Sequence, residues 1–250
     1  MDGMKILAVD GSPNMERGNT ALLLERFLIG AIDAGGEVER VAAYAMHVQR
    51  CEARMKCWYA MPGVCIHNDD VSQMLDRIGT ANVLVLSSPV HVGGMTEGMV
   101  RLMERMMPLL SPYFEVGDDG RTRHVLSPDV DDRKLVLIST CGYYEEEAFE
   151  SIVCQAKDLS RSLGRRFAGA LIRPHGLALK FMQAAGYDVD DVLQSAENAG
   201  RELVGEGELK ESTLMAVRRP LMTQDEFVAM MNSAFDKRLG CQPGRTPGCG

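Results

Sequence analysis

The sequence predicts an α/β fold built on a five-stranded parallel sheet, and three observations predict it. Short, almost wholly apolar runs recur along the chain, each is followed by a segment whose apolar residues repeat at helical spacing, and the joints between them are made of small and polar residues. Strand and helix alternating five times over imply right-handed crossovers, and hence strands that all run the same way.

Lys5 to Val9 is the first run, nearly all apolar as a strand covered on both faces must be. A helix follows with Leu23, Leu24, Phe27, Leu28 and Ala31 on one side, ended by Ala34-Gly35-Gly36. Glu37 to Ala43 alternates Val38 and Val41 with polar partners, the pattern of an outer strand. Val71, Met74, Leu75 and Ile78 are in register for a short helix, Asn82 to Leu86 is the next buried strand, and a helix carrying Met99, Leu102, Met103 and Met106 comes after it. Residues 108 to 133 break the alternation with three prolines and an Asp119-Gly120 turn signal, an excursion that reads as a hairpin. Lys134 to Ser139 resumes the sheet, a long helix runs from about Glu145 to Leu163 with Cys154 at a position suited to burial, and Phe167 to Ile172 is the fifth strand. From Phe181 the chain reads as helical: Val192, Leu193, Ala196, Ala199 and Leu203 repeat over Val189 to Val204, and Phe227, Met230, Met231 and Phe235 over Thr223 to Leu239. The expected organisation is a sheet domain over 1–180, a helical extension over 181–240 packed on the core or a partner subunit, and a flexible tail over 241–250, rich in Gly and Pro.

At 250 residues, 46% hydrophobic and 25% charged, the chain has the size and composition to bury a full core. No stretch is long and apolar enough to cross a bilayer, and the opening "MDGMKILAVD" carries an acid where a leader would be basic, so the expectation is a cytoplasmic protein without membrane attachment. A formal net charge of −8 argues against a general nucleic-acid binder, because phosphate contacts need a basic face. Seven cysteines, an odd number with no leader, fit reduced thiols better than a paired scaffold.

Functional expectation concentrates at three joints. The first strand ends in "GSPNMERGNT", and a loop at the carboxyl edge of a parallel strand lies where open α/β sheets bind ligands. Gly11 and Gly18 allow close backbone approach, Ser12, Asn19 and Thr20 offer side-chain donors, and the bare N–H groups of a helix start suit a phosphate. No lysine follows Gly18, so this is not the loop of ATP and GTP enzymes, and the three-glycine dinucleotide fingerprint is absent. A mononucleotide phosphate fits better. The third strand ends in "SSPVHVGGMTEGM", where Pro89, Val90, His91, Val92 and Gly93 suit a flat aromatic ring, and the fourth in "STCGYYEEE", where Thr140, Cys141, Gly142 and Tyr143 form a third wall. Three converging edge loops match the flavodoxin-like strand order 2-1-3-4-5, which binds FMN at its switch point.

The stretches "KILAVDGSPNMERGNTALLLE", "CEARMKCWYAMPGVCIHNDDV" and "NVLVLSSPVHVGGMTEGMVRLMER" resemble the NADPH-dependent FMN reductase family, especially its iron-sulfur flavoprotein and multimeric flavodoxin-like branch, over roughly residues 4 to 175. The resemblance implies a flavodoxin-like doubly wound sheet, noncovalent FMN, a homodimer or homotetramer, and electron transfer from a reduced nicotinamide or another donor to quinone-like, flavin or redox-protein acceptors. Carried over by position, Ser12, Gly18, Asn19 and Thr20 would hold the phosphate, Pro89 to Gly93 the isoalloxazine, and Thr140 to Tyr143 its third side, with amides of Val92, Gly93 and Cys141 to Tyr143 aimed at reduced flavin. His91 stands where many relatives have Tyr, Val100 where Lys is common, and Glu104 where Asp is usual. The iron-sulfur branch carries Cys-x2-Cys-x2-Cys and a later fourth cysteine; Cys51, Cys57 and Cys65 match the first, third and fourth, but Arg54 occupies the second, so four thiolates cannot be assembled here. A three-iron cluster or replacement of the missing ligand by His67 is the minor alternative; the favoured reading is a loop that has lost its metal, and no metal is assigned.

The functional expectation is an NAD(P)H-dependent FMN oxidoreductase acting on quinone-like or flavin acceptors, in which no side chain acts as acid, base or nucleophile because the flavin carries the chemistry. Its alternatives are an FMN electron carrier reduced by a protein partner without nicotinamide, and a sensor with a degenerate flavin pocket.

Overall fold

The computed structural model describes residues 3–117, 119–126 and 132–240. Cys241 and Cys249, with the expected tail, lie outside them. Five parallel strands form the sheet: β1 (Lys5–Asp10), β2 (Glu37–Ala42), β3 (Val83–Ser87), β6 (Lys134–Thr140) and β7 (Arg166–Arg173), in the order β2-β1-β3-β6-β7. Counting sheet strands alone, this is 2-1-3-4-5. Between β3 and β6 the excursion folds as the antiparallel hairpin β4 (Phe114–Val116) and β5 (Thr122–His124).

The helices are α1 (Asn19–Asp33), α2 (Lys56–Tyr59), α3 (Val71–Thr80), α4 (Glu97–Glu104), α5 (Glu150–Ser162), α6 (Gly176–Ala184), α7 (Asp190–Gly205), α8 (Glu211–Arg218) and α9 (Gln224–Leu239). Successive strand residues point to opposite faces, so each central strand feeds two cores. Ile6, Ala8, Val83, Val85, Val136, Ile138 and Leu171 meet α1, α6, α7 and α8 on one side. Leu7, Val9, Leu84, Leu86, Leu135, Leu137 and Ile172 meet α3, α4 and α5 on the other. This double burial is why β1, β3 and β6 read as unbroken apolar runs, whereas the edge strand β2 alternates.

The C-terminal helices are tied to the sheet at backbone distance. Gly30 of α1 crosses α7 so closely that a Cβ there would fall 1.8 Å from the Glu197 carbonyl oxygen. A second glycine, Gly200, answers from α7, where a Cβ would fall 2.0 Å from the Phe27 carbonyl oxygen. Elsewhere Arg105 and Asp69 form an ion pair sealed from solvent, at 2.7 Å, that fastens α4 to the segment preceding α3. Cys154 corrects the expectation of burial: it lies exposed on α5, beside Asp158. Among the described residues no helix is long and apolar enough to cross a membrane.

Candidate functional site

The carboxyl ends of β1, β3 and β6 bring the three predicted loops together, and hydrogen bonds knit them pairwise. The Gly11 N–H donates to the Ser87 carbonyl at 2.7 Å, and the Thr96 hydroxyl donates to the Gly11 carbonyl at 2.6 Å, joining loop one to loop two. Val90 donates its N–H to the Thr140 carbonyl at 2.9 Å, joining loop two to loop three. Thr20 and Thr140, 120 residues apart in sequence, meet hydroxyl to hydroxyl at 2.6 Å and close the triangle.

Loop one turns through a short 3-10 segment, Met15–Arg17, into Gly18, the residue before α1. Gly18 has an ordinary negative φ, so its lack of a side chain answers to space: a Cβ would sit 2.5 Å from the Ser12 Oγ. No side chain caps α1, which leaves the first-turn N–H groups to a ligand or water. Asn19 Oδ1 is buried there without a hydrogen-bond partner. Beneath the loop, the Ser12 N–H donates to Asp10 Oδ1, and the other oxygen of Asp10 pairs with Arg40 at 2.6 Å.

Loop two ends in a two-residue reversal in which His91 and Gly94 exchange backbone hydrogen bonds across Val92 and Gly93. Both central residues have positive φ, +50° at Val92 and +78° at Gly93. For glycine this costs nothing, whereas a β-branched side chain is strained there by about 1–3 kcal/mol. The turn leaves Val92 fully exposed at its tip, with His91 exposed beside it and Pro89 and Val90 half-buried below.

Loop three is anchored from behind. The Cys141 N–H donates to the Arg173 carbonyl, its carbonyl accepts from the Gly176 N–H, and the Tyr143 carbonyl accepts from the His175 N–H at 2.6 Å. Cys141 is buried while Gly142 and Tyr143 are exposed. The Cys141 amide is therefore already spent, and the Tyr143 N–H leans on the Cys141 sulfur at 3.4 Å, which corrects the expectation that both face a flavin. His175 Nε2 accepts from Arg173 Nη2 at 2.7 Å and from the Leu221 N–H at 3.2 Å, so the ring is neutral with its proton on Nδ1. Burial, with the Arg173 cation beside it, pushes this histidine down to about 4. Tyr144 stacks on the ring at 4.9 Å, and Arg173 Nη1 donates to the carbonyls of Val217 and Arg219.

Sequence reasoning missed α6. Its exposed face runs between two of the loops: a Cβ on Gly142 would lie 3.5 Å from Leu177, and Lys180 Nζ donates to the Arg17 carbonyl at 2.7 Å. The run Pro174-His175-Gly176 reads as a turn, and the lysine carries no pattern of its own.

The cysteine segment forms a separate feature. Cys51, Cys57 and Cys65 line one cavity of about 30 Å³ together with Arg54 and His67. Ala53 and Met55, on either side of Arg54, both adopt the left-handed conformation, and the Arg54 guanidinium lies exposed against Glu52. Burial and the neighbouring Cys65 push the Cys57 thiol up. Among the described residues no three His, Cys, Asp or Glu side chains converge as a metal site. Three thiols, an arginine in the fourth place and a space of this size do not fit a four-thiolate cluster.

Comparison with known proteins matches residues 4–118 to the family model of the NADPH-dependent FMN reductases. An iron-sulfur flavoprotein of Methanocaldococcus jannaschii is 33% identical over 106 residues, 42% of this chain and 53% of that one. One from Archaeoglobus fulgidus is 29% identical over 102 residues, 41% of this chain and 48% of that one. The chain thus spans about half the length of the curated relatives it matches. Among solved structures, an azoreductase from Bacillus anthracis superposes with a TM-score of 0.59 at 16% identity, over 80% of this chain and 99% of that one. The NAD(P)H:quinone oxidoreductase of Methanothermobacter marburgensis gives 0.57 at 17%, over 81% and 100%. At those identities the structures speak for the fold, which is flavodoxin-like, and the sequence comparison shows similarity to the NADPH-dependent FMN reductase family over residues 4–118, just under half of this chain.

Proposed function

We propose that this protein is an FMN-dependent oxidoreductase that takes electrons from NAD(P)H and passes them to small quinone-like or flavin acceptors, as a homodimer or homotetramer. The observation that carries the reading is the hydrogen-bonded triangle of edge loops, which gathers the uncapped start of α1 and the exposed tips of the second and third loops at one edge of the sheet. The residues present fit FMN. The uncapped start of α1 and the bare Gly18 suit its phosphate, with the side-chain NH2 of Asn19 as a donor and Ser12 and Thr20 alongside. Pro89 to Gly93 and Thr140 to Tyr143 supply the flat walls for its ring.

When bound, FMN supplies the electron-transfer chemistry. The chain's own residues bind and orient. Thr20 and Thr140 fix the phosphate loop against the ring loops, the strained turn at Val92 presents His91 and Gly93 at the rim, and the anchored Cys141 holds loop three to β7. With FMN held there, such positioning would serve to orient donor and acceptor against the ring, so that a bimolecular step becomes effectively unimolecular.

The test is direct. Purified protein should be yellow or take up FMN on titration, and anaerobic NADH or NADPH should bleach the bound flavin, with a quinone restoring the colour. A colourless chain that binds no FMN refutes the reading. Similarity to iron-sulfur flavoproteins supports a second reading, an FMN electron carrier reduced by a protein partner. That reading predicts bound flavin that chemical reductants bleach and nicotinamides do not.

A further inference from the structure

We propose that Lys180, on α6, is the cation that recognises the phosphate of the bound flavin, so that the helix following β7 serves as a strap over the phosphate loop. This rests on the FMN reading above and adds a residue outside the three loops and outside the matched segment 4–118.

A flavin phosphate brings negative charge to a protein whose own formal charge is −8. The loop meant to receive it, residues 11–20, contains one acid and one base, Glu16 and Arg17, so its formal charge is zero. Backbone N–H groups at the α1 start contribute only the partial charge of a helix end. Glu16 offsets the loop's own Arg17, and the structure brings a further cation to it: Lys180 Nζ sits 2.7 Å from the Arg17 carbonyl oxygen, across 163 residues of sequence. Arg17 is two residues from Asn19, so at 3.8 Å between successive Cα atoms its own Cα lies within roughly 7–8 Å of the Asn19 Cα, and the ammonium is held one hydrogen bond beyond the Arg17 carbonyl. The lysine is half-buried and pairs with no carboxylate among the described residues.

Its position is fixed by its neighbours on the helix. Ala178, Leu179 and Met182 bury one face of α6 in the core shared with α1. Gly176 leads the helix in over Thr140, so near that a Cβ would lie 2.8 Å from the Thr140 Cβ. Lys180 therefore stands on a rigid element packed against the loop, and its bond to a neutral carbonyl is one that a phosphate oxygen can replace with a stronger, charge-assisted partner.

The experiment compares FMN with riboflavin, the same ring without the phosphate, each titrated into flavin-free protein and followed by quenching of flavin fluorescence. Lys180→Gln is expected to weaken FMN by about ten- to a hundredfold, the loss of one hydrogen bond to a charged group, while riboflavin stays within about twofold. Lys180→Arg should recover most of the loss. Equal weakening of both flavins, or FMN binding indifferent to Lys180→Gln, overturns the assignment. A second measurement needs no variant: acylation of lysines in the wild-type chain, read by mass spectrometry, should be suppressed at Lys180 by FMN and not by riboflavin. Equal labelling with either ligand also overturns it. A wild-type chain that takes up neither flavin overturns the FMN reading and this one with it, whereas wild-type uptake with an indifferent variant overturns the lysine alone.

Discussion

Replacing Thr20 by Val tests whether the three loops form one unit. Its hydroxyl and that of Thr140 meet at 2.6 Å with both residues buried, 1% and 5% exposed. Valine keeps the shape and removes the polar atom, so either single substitution strands one hydroxyl in a dry site at a cost of about 1–3 kcal/mol. Removing both leaves nothing stranded, and the double variant should be destabilised by less than the sum of the singles, with a coupling of about 0.5–1.5 kcal/mol. Urea denaturation of the flavin-free protein gives the four stabilities of the cycle. The same four proteins titrated with FMN report whether the contact matters to the site, because a loosened loop one loses its register with loop three and each single variant should bind FMN more weakly. Strict additivity of the two stability changes would show that the hydroxyls do not sense each other and would refute the closed triangle.

Two other outcomes follow from buried titratable groups. Asp69→Asn leaves the Arg105 cation sealed in the interior without its partner and should cost about 3–5 kcal/mol by urea denaturation. Burial would raise the Asp69 carboxyl, but the hydrogen bonds from Arg105 and from the amides of Gln49 and Val71 outweigh it and hold the group below the ordinary carboxylate range. Its contribution is therefore complete above the unfolded value of about 3.9 and lost as pH falls through the folded value, and the variant should lack that part of the acid sensitivity. His175 acts in a different window: with a folded value of about 4 against about 6.5 unfolded, the unfolded chain takes up a proton between those values that the folded chain refuses. Stability should fall as pH drops from about 6.5 to about 4, and His175→Asn, which tolerates the left-handed backbone at this position, should flatten that slope in thermal melts taken across the range.

The sheet was legible because burial on both faces leaves a strand no polar positions: "KILAV", "NVLVL" and "KLVLIS" can be little else in a chain of alternating elements. Helices α3, α5 and α7 were legible for the opposite reason, a single buried face that repeats every three to four residues, whereas α9 kept the apolar spacing but buries Phe227 and leaves Phe235 exposed. Helix α6 escaped because Leu177, Ala178, Leu179, Phe181 and Met182 leave no polar face to set the period, and Pro174 with Gly176 announces a turn. The loops could be found one at a time from their small residues at strand ends. What joins them could not, since the Thr20 to Thr140 contact spans 120 residues and carries no local signature. For the same reason the Cys141 amide looked available until β7 was seen to take it, and Cys154 looked buried because a periodic helix does not say which of its flanks the core reaches.

The cysteine loop makes the sharpest demand on this reasoning, because the curated relatives are iron-sulfur flavoproteins and this chain lacks one of the four thiolates. Arg54 lines the same cavity as Cys51, Cys57 and Cys65, and the left-handed residues on either side of it bend the backbone as a tight ligand loop requires. Where the resemblance to the iron-sulfur branch implies a second thiolate, this loop carries a guanidinium that cannot bind iron. If only that residue excludes the cluster, Arg54→Cys should bind iron and sulfide on anaerobic reconstitution and develop broad visible absorption, while the parent chain treated identically should not. Iron uptake by the parent would mean that three thiolates and a substitute suffice, and the ligand count would be the wrong criterion. Failure of both would place the obstacle in the 30 Å³ space itself, closed beyond what one restored thiolate can reopen.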